Sequence, residues 1–254
     1  MNDDKPICSV VVPVYNSGSY IARTLDSILG QTVRDIEVIV IDDGSKDDSR
    51  DIIAAYAEKD GRLRPLLLAQ NQGVCHARNL GVGEAKADWV AFLDSDDFWA
   101  EDKLEKQLAL VGEGQAALYY TGAVFILHEG QGGKRIHVPE RIGYSDLLRG
   151  SNIILSSVMA KREALLAFPM ERPDLHEDFI CWYRILQQYG PAIGLDKPLL
   201  FYRLTPGSKS RSKKKSARMT WNSYGFLGIK GFARLRAFAG YALHGLKRYR
   251  GTGA

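Results

Sequence analysis

The chain has 254 residues, 45% of them hydrophobic and 25% charged, with a formal net charge of +4, which is enough to bury a full core and suits one large α/β domain better than two small ones. Three widely spaced cysteines, Cys8, Cys75 and Cys181, form no Cys-x-x-Cys pair, which argues against a disulfide framework or structural zinc site and for a reducing compartment. The polar start, Met1 to Pro6, has no signal-peptide core, and no run approaches the roughly 20 apolar residues of a membrane span, so a cytoplasmic location is expected.

Ile7 to Val12 is a short β-rich apolar run, ended by Pro13 and the turn formers Asn16-Ser17-Gly18. Tyr20, Ile21, Thr24, Leu25 and Ile28 then recur at helical spacing until Gly30. Ile36 to Ile41 is a second buried strand closing in Asp42-Asp43-Gly44-Ser45, with a helix from Asp47 to Glu58 behind it. Leu63 to Leu68 reads as a third strand, Asn71-Gln72-Gly73 as a turn, and the stretch to Ala85 as a helix. Trp89 to Leu93 is a fourth strand running into Asp94-Ser95-Asp96-Asp97, ahead of a helix beginning near Ala100. Alternating helices and continuously apolar strands predict a mostly parallel sheet covered on both faces. Ligands of such sheets bind beyond the carboxyl ends of the strands, where each of these polar clusters falls. After Leu104 the pattern loosens. Ala117 to Leu127 fits one or two strands, Gly130 to Gly133 a turn, Asn152 to Ala160 a strand, Asp178 to Tyr189 an amphipathic helix and Leu199 to Tyr202 a last strand.

Four clusters carry candidate chemistry, each with a plainer alternative. Asp94-x-Asp96 can offer oxygen ligands to a hard cation while leaving positions for substrate phosphates; equally, Asp96 or Asp97 can cap the helix that follows. Asp42 and Asp43 can accept hydrogen bonds from a ribose or base, cap the next helix, or hold magnesium in a signalling domain. Gly73 permits a bend before a helix on which Arg78 and Asn79 are placed to reach a diphosphate or pyrimidine, although a surface arginine is usually just solvated. Glu177 and Asp178, behind His176, can supply a general base or merely interact with the helix dipole. No Gly-x-Gly-x-x-Gly follows the first strand, which disfavours a dinucleotide-binding dehydrogenase.

Taken in order, Val11-Val12-Pro13-Val14-Tyr15-Asn16, Ser27-Ile28-Leu29-Gly30-Gln31-Thr32, Asp42-Asp43-Gly44-Ser45, the Asn71 to Asn79 stretch and Leu93-Asp94-Ser95-Asp96-Asp97 resemble the family 2 glycosyltransferases of the GT-A fold. His176-Glu177-Asp178-Phe179 and Tyr202-Arg203 match that family's later motifs. The resemblance implies a GT-A catalytic domain over residues 1–205, with a nucleotide-sugar-binding half (1–112) and an acceptor-facing half (113–205) that carries the base. It implies that Pro13, Tyr15, Asn16 and Asp43 hold the base and ribose of a nucleotide diphosphate sugar, with UDP-linked donors expected, and that Arg78 contacts the base or diphosphate. Asp94 would lie near ribose and metal-bound water, Asp96 would ligate Mn2+ or Mg2+, Asp178 would be the catalytic base with Glu177 beside it, and Arg203 would close on the diphosphate. The implied activity is a metal-dependent, inverting transfer to a hydroxyl of a glycan or lipid-linked acceptor, as in bacterial surface-polysaccharide and lipopolysaccharide synthesis. A polyprenyl-phosphate sugar synthase and a non-catalytic nucleotide-sugar-binding module are the alternatives. Processive synthases of this family carry Gln-x-x-Arg-Trp after the base; here Gln187-Gln188 run into Tyr189-Gly190, which favours addition of a single sugar.

From Lys197 onward there are fourteen Lys or Arg and no acidic residue, against twenty basic and thirty acidic residues before it. Residues 206–254 therefore read as a basic tail. Lys213, Lys214, Lys215 and Arg218 form one cluster and Lys247, Arg248 and Arg250 a second. Between them Phe232, Leu235, Phe238, Ala239, Ala242, Leu243 and Leu246 share one arc of a helix. Such a helix suits a membrane interface, on the inner face of the cytoplasmic membrane, or packs its apolar face on the body. No recognisable nucleic-acid fold or aromatic platform accompanies the charge, so nucleic-acid binding is not expected.

Overall fold

Cys8–Val14 forms the first strand, β1, and all seven of its residues are buried. Val10 and Val12 face one core and Val11 the other, as Val38 and Val40 oppose Ile39 and Ile41 on β2 (Ile36–Asp42). Side chains alternate across a strand, so a strand covered on both faces must be apolar throughout. β3 (Leu63–Leu67), β2, β1 and β4 (Trp89–Phe92) lie side by side and parallel, in that order. Val14, Asp42 and Leu67 stand level, so the carboxyl ends form one rim. The computed structural model describes residues 5–113, 115–126, 132–150, 153–204 and 213–249.

Helices α1 (Gly18–Leu29), α2 (Ser49–Lys59) and α3 (Val74–Glu84) connect these strands. Ile21, Leu25, Ile28 and Ile53 pack on one face, and Ala77, Phe92, Trp182 and Ile185 on the other. Gly81 lets α3 lie close on the sheet, since a Cβ there would come 2.5 Å from Val11 Cγ1.

The sheet continues from β4 through β9 (Met159–Lys161), antiparallel, to β6 (Leu118–Ile126), then to β10 (Ala192–Arg203) parallel to β6, and ends on β5 (Phe98–Trp99). Short strands β7 (Gly132–Ile136) and β8 (Arg141–Ile142) pair with β6 and β10. The remaining helices are α4 (Lys103–Glu113), α5 (Tyr144–Leu147), α6 (Arg162–Ala167), α7 (Glu177–Tyr189), α8 (Lys213–Phe226) and α9 (Gly231–Tyr249).

This second half departs from the sequence expectations. β10 is twelve residues long, not four; register shifts around Pro198 let it continue through the polar Asp196-Lys197 pair that interrupts the apolar pattern. The strand expected from Asn152 is only Met159–Lys161, because Leu155–Ser157 turns as a 3₁₀ helix and spends its serines elsewhere. β5 intervenes before α4, which begins at Lys103 and not near Ala100.

The tail folds as a hairpin against the body. Trp221 of α8 meets Phe238 of α9 edge-on at 5.3 Å, with the Arg234 guanidinium 4.1 Å from the Trp221 ring. Tyr224 stacks at a tilt on Phe179 at 5.8 Å and its hydroxyl donates to Leu148 O at 2.6 Å. The arc of the helical wheel is thus divided: Phe238 packs on Trp221, while Phe232, Leu235 and Leu243 face outward. Arg250 and the side chains of Lys247 and Arg248 in the second basic cluster, and that of Leu246 in the arc, lie outside the described residues.

Lys103 is wholly buried beneath this architecture, its ammonium 3.7 Å from the Trp99 ring centroid and without a hydrogen-bond partner. Burial pushes its pKa down to about 7 from an ordinary 10.5. The unfolded chain therefore binds the extra proton between those values, so this residue's destabilising effect is complete below about pH 7 and fades as pH rises toward 10.5. Lys103→Met is expected to raise Tm by several degrees at pH 6 and to flatten the pH dependence of unfolding over that window, as followed by calorimetry.

Candidate active site

Three loops at the rim lock one another in place. After β1 the chain turns at Asn16, whose φ of 50° is one asparagine tolerates. Its amide donates to Ser45 Oγ at 2.9 Å, and its Oδ1 accepts from Lys46 N at 2.8 Å. Gly18 N donates to Asp47 Oδ2 at 2.9 Å, so Asp47 ties the first loop to the second. Gly44 has φ +79° and a Cβ there would stand 2.7 Å from the Gln70 backbone; only glycine lets the third loop approach so closely.

Within this frame the two strand-end acids divide. Asp42 is buried and accepts from Arg50 Nε and Ser45 N, which makes it an anchor of the β2 end. Asp43 accepts from Gln72 N at 2.7 Å and Gly73 N at 2.8 Å, fixing the entry to α3. Tyr15 stands 49% exposed above the loops, whereas Pro13 is buried within β1, paired with Ile41.

Arg78, on the second turn of α3, is buried and not solvated. Its Nη2 lies 2.7 Å from Asp94 Oδ1, at the end of β4, and its Nη1 3.1 Å from Glu177 Oε1, at the start of α7. Burial alone would lower the guanidinium pKa, but Asp94 and Glu177, with Asp178 beyond them, outweigh it and hold it well above the usual arginine range. The arginine expected to contact a base or diphosphate bridges two carboxylates separated by 83 positions of chain. Asn79 likewise exchanges both amide hydrogen bonds with the Met170 backbone, at 2.8 and 2.9 Å, and so moors the segment leading into α7. Asp178 is partly exposed in the first turn of α7, and its Oδ1 accepts from Phe179 N at 2.7 Å.

The second turn acid, Asp96, is also partly exposed. Arg203, at the end of β10, donates from Nε to Asp96 O at 3.0 Å, and its guanidinium lies 5.0 Å from the Tyr20 ring centroid. Asp97 is fully buried and caps no helix. Its Oδ2 accepts from Ser156 Oγ at 2.7 Å and its Oδ1 from Arg203 N at 2.9 Å. Ser156 Oγ in turn receives Asp94 N at 3.2 Å. Burial, then the charges of Asp96 and Asp94, push the Asp97 carboxyl well above the ordinary carboxylate range. Asp97 and Ser156 are the residues that sequence reasoning missed here; the run of four polar positions after a buried strand marked the turn but not which member faced inward. Asp97→Ala strands two buried donors and is expected to cost about 2–4 kcal/mol, read as a fall in the denaturant midpoint.

Among the described residues no complete set of three or more His, Cys, Asp or Glu side chains converges as a metal site. The turn does present two partly exposed carboxylates, Asp94 and Asp96, whose charge is strong enough to raise their buried neighbour Asp97. That donor set fits Mn2+ or Mg2+, which bind through one or two carboxylates and complete their shells with substrate phosphates and water.

The model of the family described as Glycosyl transferase family 2 matches residues 9–164, from β1 into α6. The chain belongs to glycosyl transferase family 2. As a family 2 enzyme it is 38% identical to the putative teichuronic acid biosynthesis glycosyltransferase TuaG of Bacillus subtilis (strain 168), over 88% of this chain and 89% of that one. It is 30% identical to the UDP-Glc:alpha-D-GlcNAc-diphosphoundecaprenol beta-1,3-glucosyltransferase WfgD of Escherichia coli, over 97% and 96% of the two chains. The fold of this glycosyltransferase is shared with S. aureus TarS (residues 1–349, in complex with UDP-GlcNAc), with a TM-score of 0.72 at 20% identity over 92% of this chain and 71% of that one. The family 2 assignment and the mostly parallel, helix-covered sheet agree with the GT-A architecture expected from the motifs.

Proposed function

We propose that this glycosyltransferase moves one hexosyl group from a UDP-linked sugar to a hydroxyl of a lipid-linked glycan acceptor, with inversion at the anomeric carbon. The observation that carries the reading is the Arg78 bridge, which ties the acidic turn after β4 to the acidic start of α7 and so sets a phosphate-side carboxylate and a candidate base at one rim. The donor and acceptor classes are taken from WfgD, whose name specifies UDP-Glc and a diphosphoundecaprenol-linked sugar.

In this reading the loops of Tyr15, Asn16 and Asp43 receive the nucleoside, and Arg203 lies over the diphosphate side of the turn. Asp94 and Asp96 hold the divalent cation, which when bound supplies charge neutralisation for the departing UDP. Asp178, with Oδ1 engaged by Phe179 N, takes the acceptor hydroxyl's proton on its other oxygen as the new bond forms; Glu177 is held by Arg78 and keeps the turn in place. One in-line displacement needs no carboxylate nucleophile on the enzyme. Among the described residues no helix is long and apolar enough to cross a membrane. The basic tail suits work on the inner face of the cytoplasmic membrane, where a lipid-linked acceptor is anchored.

A screen of nucleotide sugars for UDP or GDP release with Mn2+ tests the donor. Asp96→Ala is expected to lower Mn2+-dependent UDP release by at least about a hundredfold while leaving Tm near that of the wild type, since its side chain is partly exposed. Release by the variant at the wild-type rate would remove Asp96 from the cation site.

A further inference from the structure

The α8–α9 hairpin has two faces with different chemistry. The inner face of α9 packs on α8: Phe238 is 5.3 Å from Trp221, and Tyr241 OH is 3.2 Å from Ser216 Oγ. Ser216 O in turn lies 3.3 Å from Nε2 of His176, the residue immediately before Glu177 and Asp178. Ser223 Oγ accepts from His176 N at 3.4 Å. The hairpin is thus fastened to the segment that bears the candidate base.

The outer face of α9 is apolar and open. Phe232 is 81% exposed, Leu235 58% and Leu243 61%. With Ala239 they recur at spacings of three and four, forming one stripe about three turns long. Arg236 and Arg149 line the trough beside this stripe, and Gly240 permits it, since a Cβ there would meet Arg149 Cγ at 3.1 Å. An exposed apolar row of this size on a soluble domain marks an interaction surface. Its partner is selected by charge: from Lys197 onward there are fourteen Lys or Arg and no Asp or Glu, so two copies meeting through this face would set like charges together.

We infer that the outer stripe of α9 docks on an anionic bilayer surface, Phe232, Leu235 and Leu243 entering the acyl boundary while Arg149 and Arg236 meet lipid phosphates. The inference deepens the proposed function and rests on its lipid-linked acceptor for its purpose, though not for its test. Docking through α9 presents the rim to the membrane in one orientation, because Ser216, Tyr241 and His176 connect the docked helix to Asp178.

The test is flotation of the full chain with vesicles of phosphatidylglycerol and phosphatidylethanolamine, against vesicles of phosphatidylcholine alone, alongside UDP release from UDP-glucose in vesicle-free buffer. The wild type is expected to float with the anionic vesicles and not with the neutral ones. The F232S/L235S/L243S variant is expected to lose at least about tenfold in vesicle affinity, with Tm and vesicle-free UDP release unchanged because none of the three side chains is buried. Equal flotation of variant and wild type would overturn the inference. So would a wild-type dimer in sedimentation that the variant abolishes while neither protein floats. Loss of UDP release in both proteins with flotation intact would instead refute the proposed activity and leave the docking surface standing.

Discussion

Asp178→Asn is expected to retain donor binding and lose transfer by about 10²- to 10⁴-fold, the range a positioned general base contributes. The substitution keeps the side chain's shape and its Oδ1, which accepts the Phe179 amide, so α7 should start as before. What it removes is the proton acceptor at the partly exposed end of the side chain. A sugar hydroxyl is a poor nucleophile, and without a carboxylate its proton has no low-energy destination as the bond to the anomeric carbon forms. The loss should fall on kcat, with KM for the nucleotide sugar nearly unchanged. Transfer at the wild-type rate would remove Asp178 from the chemistry, and a collapse of donor binding would reassign it to substrate recognition.

The second large effect concerns Arg78. Arg78→Met removes the guanidinium 3.1 Å from Glu177, which is 8% exposed, and frees Asp94 from its 2.7 Å partner. Breaking a buried ion pair by deleting one member costs about 3–5 kcal/mol; because the Asp94 side chain is 31% exposed, the lower end is expected. For a chain of this length that corresponds to a fall in Tm of about 10 °C. Activity should drop as well, since α7 and the acidic turn lose their common fixture and a misplacement of about 1 Å costs about a hundredfold. Arg78→Lys should rescue little, because an ammonium cannot reach both carboxylates as a planar fork does. A variant of unchanged Tm whose only defect is a raised KM would show that Arg78 grips the donor, as the motif alone suggested.

The first four strands and the rim clusters were legible in the sequence for one physical reason. A sheet covered on both faces writes continuous apolar runs, and its ligand loops must follow each run. The second half hides its elements. β10 crosses Asp196-Lys197 by shifting register at Pro198, which breaks the apolar run without breaking the strand. β5 has only two residues, Phe98 and Trp99, too few to show a period. Within the site, Asp94 and Asp96 were readable as a pair, yet the inward turn of Asp97 depends on Ser156 and Arg203, which are 59 and 106 positions away. Arg78 was visible as a candidate but its direction was not, since no local rule says which carboxylates converge on a buried guanidinium. In the tail, one arc of the helical wheel was apolar, and only tertiary packing on Trp221 shows which part is core and which part is surface.

In the proposed reaction the carboxylates of the turn after β4 hold a cation that grips the diphosphate of an activated sugar. Calorimetric titration of the wild-type protein with UDP, in Mn2+ and then in excess chelator, tests it most directly. Saturable binding is expected in Mn2+, weakening by at least about tenfold on chelation. Equal affinity in the two buffers, or no UDP binding in either, would contradict it.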